Sequence, residues 1–198
     1  MDAAVLHAMT KWPDVPACWG WLALDERGRW RLGQDNDGRR AEAVRHRGLA
    51  DYLARNYTAT ADGAWFVQNG PQRVYVDLDA APWVLHAAPD GTPVTHTGIV
   101  VNHFASMLLD EHGRLFAVTE HGLALVGADL MAAWLDGLYR TDHTPAQADD
   151  LDPHSAQVLC LELAAISLPI ERVHASELPA RFGFQTTPRA TQRCEGIT

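Results

Sequence analysis

No Gly-x-Ser-x-Gly elbow, Gly-Lys-Ser/Thr phosphate loop or Gly-x-Gly-x-x-Gly dinucleotide pattern occurs in the 198 residues. The common hydrolase and nucleotide-binding folds that depend on those backbone turns therefore have no anchor here. Cysteine is scarce: Cys18, Cys160 and Cys194 are far apart and odd in number, which suits reduced thiols and argues against a disulfide framework. Cys160 sits in an apolar run and reads as a small core residue. Long apolar runs are missing too; none approaches the ~20 residues that cross a bilayer as a helix. The start, Met-Asp-Ala-Ala-Val, lacks a basic segment followed by an apolar one, so a secretory signal is not expected and cytoplasmic residence is the default.

Histidine is plentiful, with ten residues, yet no pair has the His-x-His or His-x-x-x-His spacing of a ligand set, and no cysteine lies within four residues of a histidine. Scattered surface and turn histidines are the expectation, with no metal site and no cofactor. A formal charge of −9 disfavours nucleic acid and anionic membranes as partners. The basic run Arg39, Arg40, Arg45, His46 and Arg47 is a local exception, read as a solvated helix start. With 47% hydrophobic and 21% charged residues the chain has an ordinary globular composition.

What is present is an echo. Leu22–Leu32 returns 85 positions later as Met107–Ala117, with Leu24, Asp25, Glu26, Gly28 and Arg29 matched by Leu109, Asp110, Glu111, Gly113 and Arg114. Each copy reads as a hairpin with an Asp-x-x-Gly corner, in which Asp bonds backbone amides ahead of it and Gly supplies the positive φ. Asp25 with Glu26, and Asp110 with Glu111, are thus turn residues before they are acid–base pairs.

The rest of the chain follows this frame. Residues 2–10 have helical spacing, and Pro13 and Pro16 hold the next stretch extended. Gly33–Gly38 is a polar loop. Leu49, Tyr52, Leu53 and Tyr57 mark an amphipathic helix, followed by strands 64–68, 72–78 and 83–87, with turns at Asn69-Gly70 and Pro89-Asp90-Gly91. In the second half Met131, Trp134, Leu135 and Tyr139 repeat the helix spacing, Arg140–His154 is a polar insert, and Leu159–Leu163 aligns with Val74–Leu78. The expected fold class is α+β: a tandem repeat of a hairpin, helix and antiparallel sheet unit, as two small subdomains packed together. Residues 1–18 would form an N-terminal helix and extended lead, 19–98 the first unit and 99–198 the second. Tryptophans at 12, 19, 21, 30 and 65 exceed what one thin layer needs.

The span Gly63–Trp83, with the Trp12-Pro-x-Val-Pro-x-x-x-Gly-Trp21 and Pro179-Ala-Arg-Phe-Gly-Phe184 segments, resembles an uncharacterised proteobacterial family of roughly 200-residue proteins. The hairpin, helix, aromatic strand and Asp79-Ala-Ala-Pro-Trp83 pattern is more distantly similar to a second family of unknown function. That resemblance implies repeated motifs in two α+β subdomains and a signalling role. Neither supplies a catalytic residue.

The best ligand feature is the turn and strand Gln68-Asn69-Gly70-Pro71-Gln72-Arg73, with Trp65, Tyr75 and Trp83 beside it and His96 after a later strand. Amide groups, a guanidinium and aromatic rings can together hold an anion or a planar ring. The bland alternatives are a plain hairpin turn with Arg73 paired to Asp77, and a His96 that only bonds a loop carbonyl. The leading expectation is a non-enzymatic module that binds a small molecule or a protein partner where the units meet, in signalling. The alternatives are a small enzyme assembled around His96, Arg73 and Asp77, and a structural homodimer. No catalytic residue is assigned.

Overall fold

The computed structural model describes residues 1–12, 15–34, 40–152, 155–163 and 166–189. Pro13, Arg39, His154, Cys194 and most of the expected polar loop at 33–38 lie outside the described residues. The fold is α+β, with two sheets, and by its contacts the chain divides into two units. The first comprises Met1–Ala23, Trp30–Leu78 and the segment from Gln185; the second comprises Leu24–Arg29 and Asp79–Phe184.

The first unit begins with helix α1 (Ala3–Lys11), then β1 (Cys18–Leu24), β2 (Trp30–Gln34), β3 (Arg40–Ala43), α2 (Arg47–Arg55), β4 (Tyr57–Ala59), β5 (Trp65–Asn69) and β6 (Gln72–Leu78). Its six-stranded sheet runs β3-β2-β1-β6-β5-β4. The strand pattern at 64–78 and the Asn69-Gly70 turn appear where alternation placed them. Helix α2 ends two residues before its periodicity predicts. His46 caps it, its Nδ1 accepting from the Leu49 amide at 3.2 Å, and Asn56 closes it. Tyr57 instead opens β4 opposite Val67, because its ring is buried between Trp30 at 5.2 Å and Trp65 at 4.7 Å. Trp19, Trp30 and Trp65 thus pack on other aromatic rings, whereas Trp12 and Trp21 are exposed.

The second unit contains β7 (Trp83–Ala87), β8 (Pro93–Thr95), β9 (Phe104–Asp110), β10 (Leu115–Thr119), β11 (Gly122–Val126), α3 (Ala128–Trp134), β12 (Leu138–Arg140), β13 (Leu159–Leu163), β14 (Ile166–Val173) and α4 (Leu178–Phe182). The eight-stranded order is β12-β13-β14-β9-β10-β11-β7-β8. Strands β14 and β9, and β11 and β7, pair in parallel. The sheet is therefore mixed, where the hairpins alone led to an antiparallel expectation. Met107, Leu108 and Leu109 are all buried in succession, as a central strand covered on both faces requires. Strands β7 and β8, expected in the first unit, belong to this sheet, so the division falls at Asp79. The helical pattern at 129–139 also ends early: α3 stops at Trp134, a single 3-10 turn follows, and Tyr139 lies in β12.

The two echoed corners fold alike, bond for bond. Asp25 Oδ1 accepts from the Arg27 and Arg29 amides at 3.0 and 2.9 Å, and Asp110 Oδ1 from those of His112 and Arg114 at 2.9 and 2.9 Å. Gly28 and Gly113 take φ of 70° and 73°, the left-handed conformation that a side chain resists. Among the described residues no helix is long and apolar enough to cross a membrane.

Candidate functional site

On the β5–β6 hairpin of the first unit, Phe66 faces Tyr75 and Gln68 faces Arg73 across the ladder. A β-strand sends alternate side chains to one face, so these four share a surface. Tyr75 is further fixed by parallel stacking on Trp19, with centroids 5.2 Å apart and planes 7° from parallel. Arg73 lays its guanidinium 4.9 Å over the Phe66 ring.

Above part of this surface lies a cavity of about 470 Å³, walled by Met9, Trp12, Val15, Ala17 and Pro71, and also bordered by Gln68, Arg73 and Tyr75. The volume is within the range of small-molecule sites, roughly 300–1,000 Å³. Two anchors place the wall. The Asp2 amide donates to Asn56 Oδ1 at 2.8 Å and the Arg55 guanidinium to Asp2 at 3.1 Å, tying α1 to the end of α2. The Arg55 bond, then that of Asn56, holds the Asp2 carboxyl below its ordinary pKa. Gln72 Nε2 donates to the Pro16 carbonyl at 3.0 Å, which holds the Val15–Ala17 stretch against β6.

Gln68 is the unusual member. It is 1% exposed, and its Nε2 donates to the Gly70 carbonyl at 3.0 Å, which fixes the amide so that Oε1 is the remaining group. Oε1 is buried and accepts no hydrogen bond among the described residues. A buried acceptor without a donor costs about 1–3 kcal/mol, and proteins leave few of them.

Three of the expected site residues, Gln68, Arg73 and Tyr75, therefore come together. Asn69 does not line the cavity; its Oδ1 accepts from Tyr52 at 3.3 Å and it serves the turn. Trp83 and His96 lie in the second unit, where their rings pack 5.7 Å apart. Trp83 Nε1 donates to the His121 carbonyl at 2.8 Å. His96 donates its amide to the Val84 carbonyl at 2.7 Å, and its Nδ1 takes the Val84 amide at 3.4 Å. Burial of the imidazole, and secondarily the charge of His86, push its pKa down to about 3. Asp77 does not pair with Arg73; its carboxylate accepts from Arg189 at 3.1 Å. Among the described residues Arg73 has no ion-pair partner. Pro71 belongs to the expected turn and also borders the cavity, whereas Met9, Trp12, Val15 and Ala17 were not expected at the site. The helical spacing of Met9 and the prolines around Val15 indicated their local structure, but nothing in sequence showed which strands they cover.

The second unit has its own cleft of about 560 Å³, bordered by Glu26, Arg114, His86, Asp129 and Met131 among others. Several of its charges are paired: Arg114 bonds Asp110 and Glu26, and Asp129 takes His86 Nδ1 at 3.1 Å and the Ala87 amide at 2.9 Å. No group of three His, Cys, Asp or Glu side chains among the described residues is arranged to hold a metal ion.

A family model described as "Protein of unknown function (DUF2946)" matches residues 1–189. Among curated proteins nothing matches. The crystal structure of a DUF1285 family protein from Silicibacter pomeroyi DSS-3 is similar at a TM-score of 0.49 and 13% identity, covering 79% of this chain and 82% of that one.

Proposed function

Because the chain belongs to that family of unknown function, we propose from its own residues that it is a non-enzymatic binding module for a small molecule, held in the cavity of the first unit. The observation that carries this reading is the buried Gln68 Oε1, left without a donor beside a cavity that also presents an exposed guanidinium and aromatic rings. The polar groups there can bind and orient, while among the described residues none of the bordering side chains is a nucleophile or general base activated by a neighbour. A binder without turnover fits a sensing role in signalling, which forms part of the proposal.

The test is ligand-dependent thermal stabilisation against a panel of cellular metabolites, run in parallel on the wild type and on Ala17→Phe, which fills the cavity. Stabilisation of the wild type that Ala17→Phe abolishes is the expected result. No stabilisation by any compound, or equal stabilisation of both proteins, overturns the reading.

We also infer that the chain arose by tandem duplication. The order β3-β2-β1-β6-β5-β4 has its counterpart in β11-β10-β9-β14-β13-β12, with a helix between the third and fourth strands of each set, and the matched Asp-x-x-Gly corners support the same origin. On this reading β13 corresponds to β5, and the equivalent of β6 is β14, not the Leu159–Leu163 strand that apolar matching selects. Deep mutational scanning tests it: tolerance profiles of β1–β6 and β9–β14 should correlate in this register, and a better correlation in any other register removes it.

A further inference from the structure

We infer that the ligand of the first-unit cavity is a planar aromatic acid carrying a ring N–H, an inference that rests on the binding role proposed above. The two polar groups that define it are neighbours of opposite demand. Gln68 and Arg73 are directly paired across the β5–β6 ladder, a relationship that sets Cβ atoms about 4.5–5.5 Å apart. Gln68 Oε1 can only accept, so it calls for an N–H or O–H donor. The Arg73 guanidinium can only donate and carries a positive charge, so it calls for an anion, which it grips best as a carboxylate or phosphate. A single ligand with a donor on one edge and an anion a few ångströms away satisfies both.

The remaining surroundings select the body that joins these two groups. Tyr75, stiffened by its stack on Trp19, and Trp12, whose ring lies 4.5 Å beneath the Lys11 ammonium, are flat surfaces. Met9, Val15 and Pro71 add apolar contact without polar atoms on their side chains. Among the described residues that border the cavity none is acidic, and Arg73 and the nearby Lys11 contribute positive charge there. A ring stacked on the aromatics with its N–H toward Gln68 and its acid toward Arg73 uses every feature of the cavity.

Indole-3-acetate contains these elements, and its close analogues remove them one at a time. Calorimetric titration of the full chain with indole-3-acetate, 1-methylindole-3-acetate and indole is the experiment, repeated on Gln68→Leu and Arg73→Met. Wild type should bind indole-3-acetate best, and loss of either the N–H or the carboxylate should weaken binding about tenfold, the loss of one good hydrogen bond or charged contact. Gln68→Leu should bind the N–H and N-methyl compounds equally, and Arg73→Met should lose the preference for the acid over indole. The wild-type comparison stands even where a variant does not fold. Equal wild-type affinity for the N–H and N-methyl compounds overturns the inference, as does discrimination that persists in a folded Gln68→Leu. Failure of the whole indole series to bind, while a panel metabolite stabilises the wild type and not Ala17→Phe, removes the ligand class and leaves the binding role. Silence of both the series and the panel removes both.

Discussion

Arg114 joins the two Asp-x-x-Gly corners: its Nε donates to Asp110 Oδ2 of its own turn at 2.7 Å, and its Nη1 bonds Glu26 of the other turn. The matching Arg29 bonds its own aspartate at 2.8 Å and, among the described residues, no second carboxylate. The two corners share a hydrogen-bond pattern and differ in surroundings. The Arg114 and Asp110 side chains are 21% and 0% exposed, against 46% and 12% for Arg29 and Asp25. At Asp25 burial alone would raise the pKa, but the Arg29 amide and guanidinium and the Arg27 amide outweigh it, and the carboxyl is held below its ordinary value.

Equal substitutions at the two arginines should therefore have unequal effects. Arg114→Met strands a buried carboxylate and should cost about 3 kcal/mol, near the lower end for breaking a buried pair. Arg29→Met breaks a solvent-screened pair and should cost no more than about 1 kcal/mol. Urea denaturation of both variants reads the difference, and similar midpoints would show that burial at the two corners is alike.

The glycines of the corners make a second matched pair. A Cβ on Gly113 meets nothing within 4 Å, while one on Gly28 would stand 2.7 Å from His86 Nε2 and 2.8 Å from His96 Cβ. Gly113→Ala should cost only the left-handed backbone strain, about 1–2 kcal/mol. Gly28→Ala adds a collision inside packed structure, worth about 1–3 kcal/mol more. Thermal melts in which Gly28→Ala is no worse than Gly113→Ala would contradict the packing around His86 and His96.

His96 sets a pH dependence. Its folded pKa of about 3 lies below the ordinary 6.5, so between those values the unfolded chain binds a proton that the folded chain refuses. Stability from the neutral imidazole is full above pH 6.5 and declines as pH falls toward 3, with a limiting slope of about 1.4 kcal/mol per pH unit. The residue keeps some surface although its Nε2 is buried, so the observed slope should fall short of that limit. His96→Gln should flatten the decline in denaturation midpoint between pH 7 and pH 5. A wild-type midpoint already flat across that interval would mean that the ring is protonated in place.

Much of this architecture was legible locally. Alternation and turn signals located β5, β6 and β7, and the Asp-x-x-Gly signature located two corners whose aspartates accept the same backbone bonds. What periodicity could not see was pairing. Tyr57 and Tyr139 satisfy a helical spacing although they lie in the next strands, β4 and β12, and for Tyr57 only burial against Trp30 and Trp65 decides for the strand. The parallel contacts of β9 with β14 and of β7 with β11 join segments far apart in sequence, so no local pattern encodes them. The candidate site divided in the same way. Gln68, Arg73 and Tyr75 are near neighbours on one hairpin and border one cavity, whereas Trp83 and His96, linked to them only by aromatic or polar character, belong to the other unit.

The wall of the cavity should be the part of the site most easily loosened. Helix α1 has nine residues and Val5 as its buried side chain, and isolated helices shorter than about 12 residues do not hold in water. Its order therefore depends on Val5 and on the Asp2 bonds to Arg55 and Asn56. Val5→Ala removes two buried methyl groups, about 1.6 kcal/mol at roughly 0.8 kcal/mol each. Val5 does not border the cavity, but Met9 and Trp12 ride on the helix and its end. Hydrogen exchange in Val5→Ala should accelerate at the α1 amides about tenfold and remain unchanged in β5 and β6, because the lost energy is local to the helix. Ligand affinity should fall in parallel, since binding must then re-order the wall, a cost the wild type has already met on folding. Unchanged exchange in α1 would show that the helix is held by the Asp2 bonds alone, and accelerated exchange with undiminished affinity would show that Met9 and Trp12 contribute nothing to the bound state.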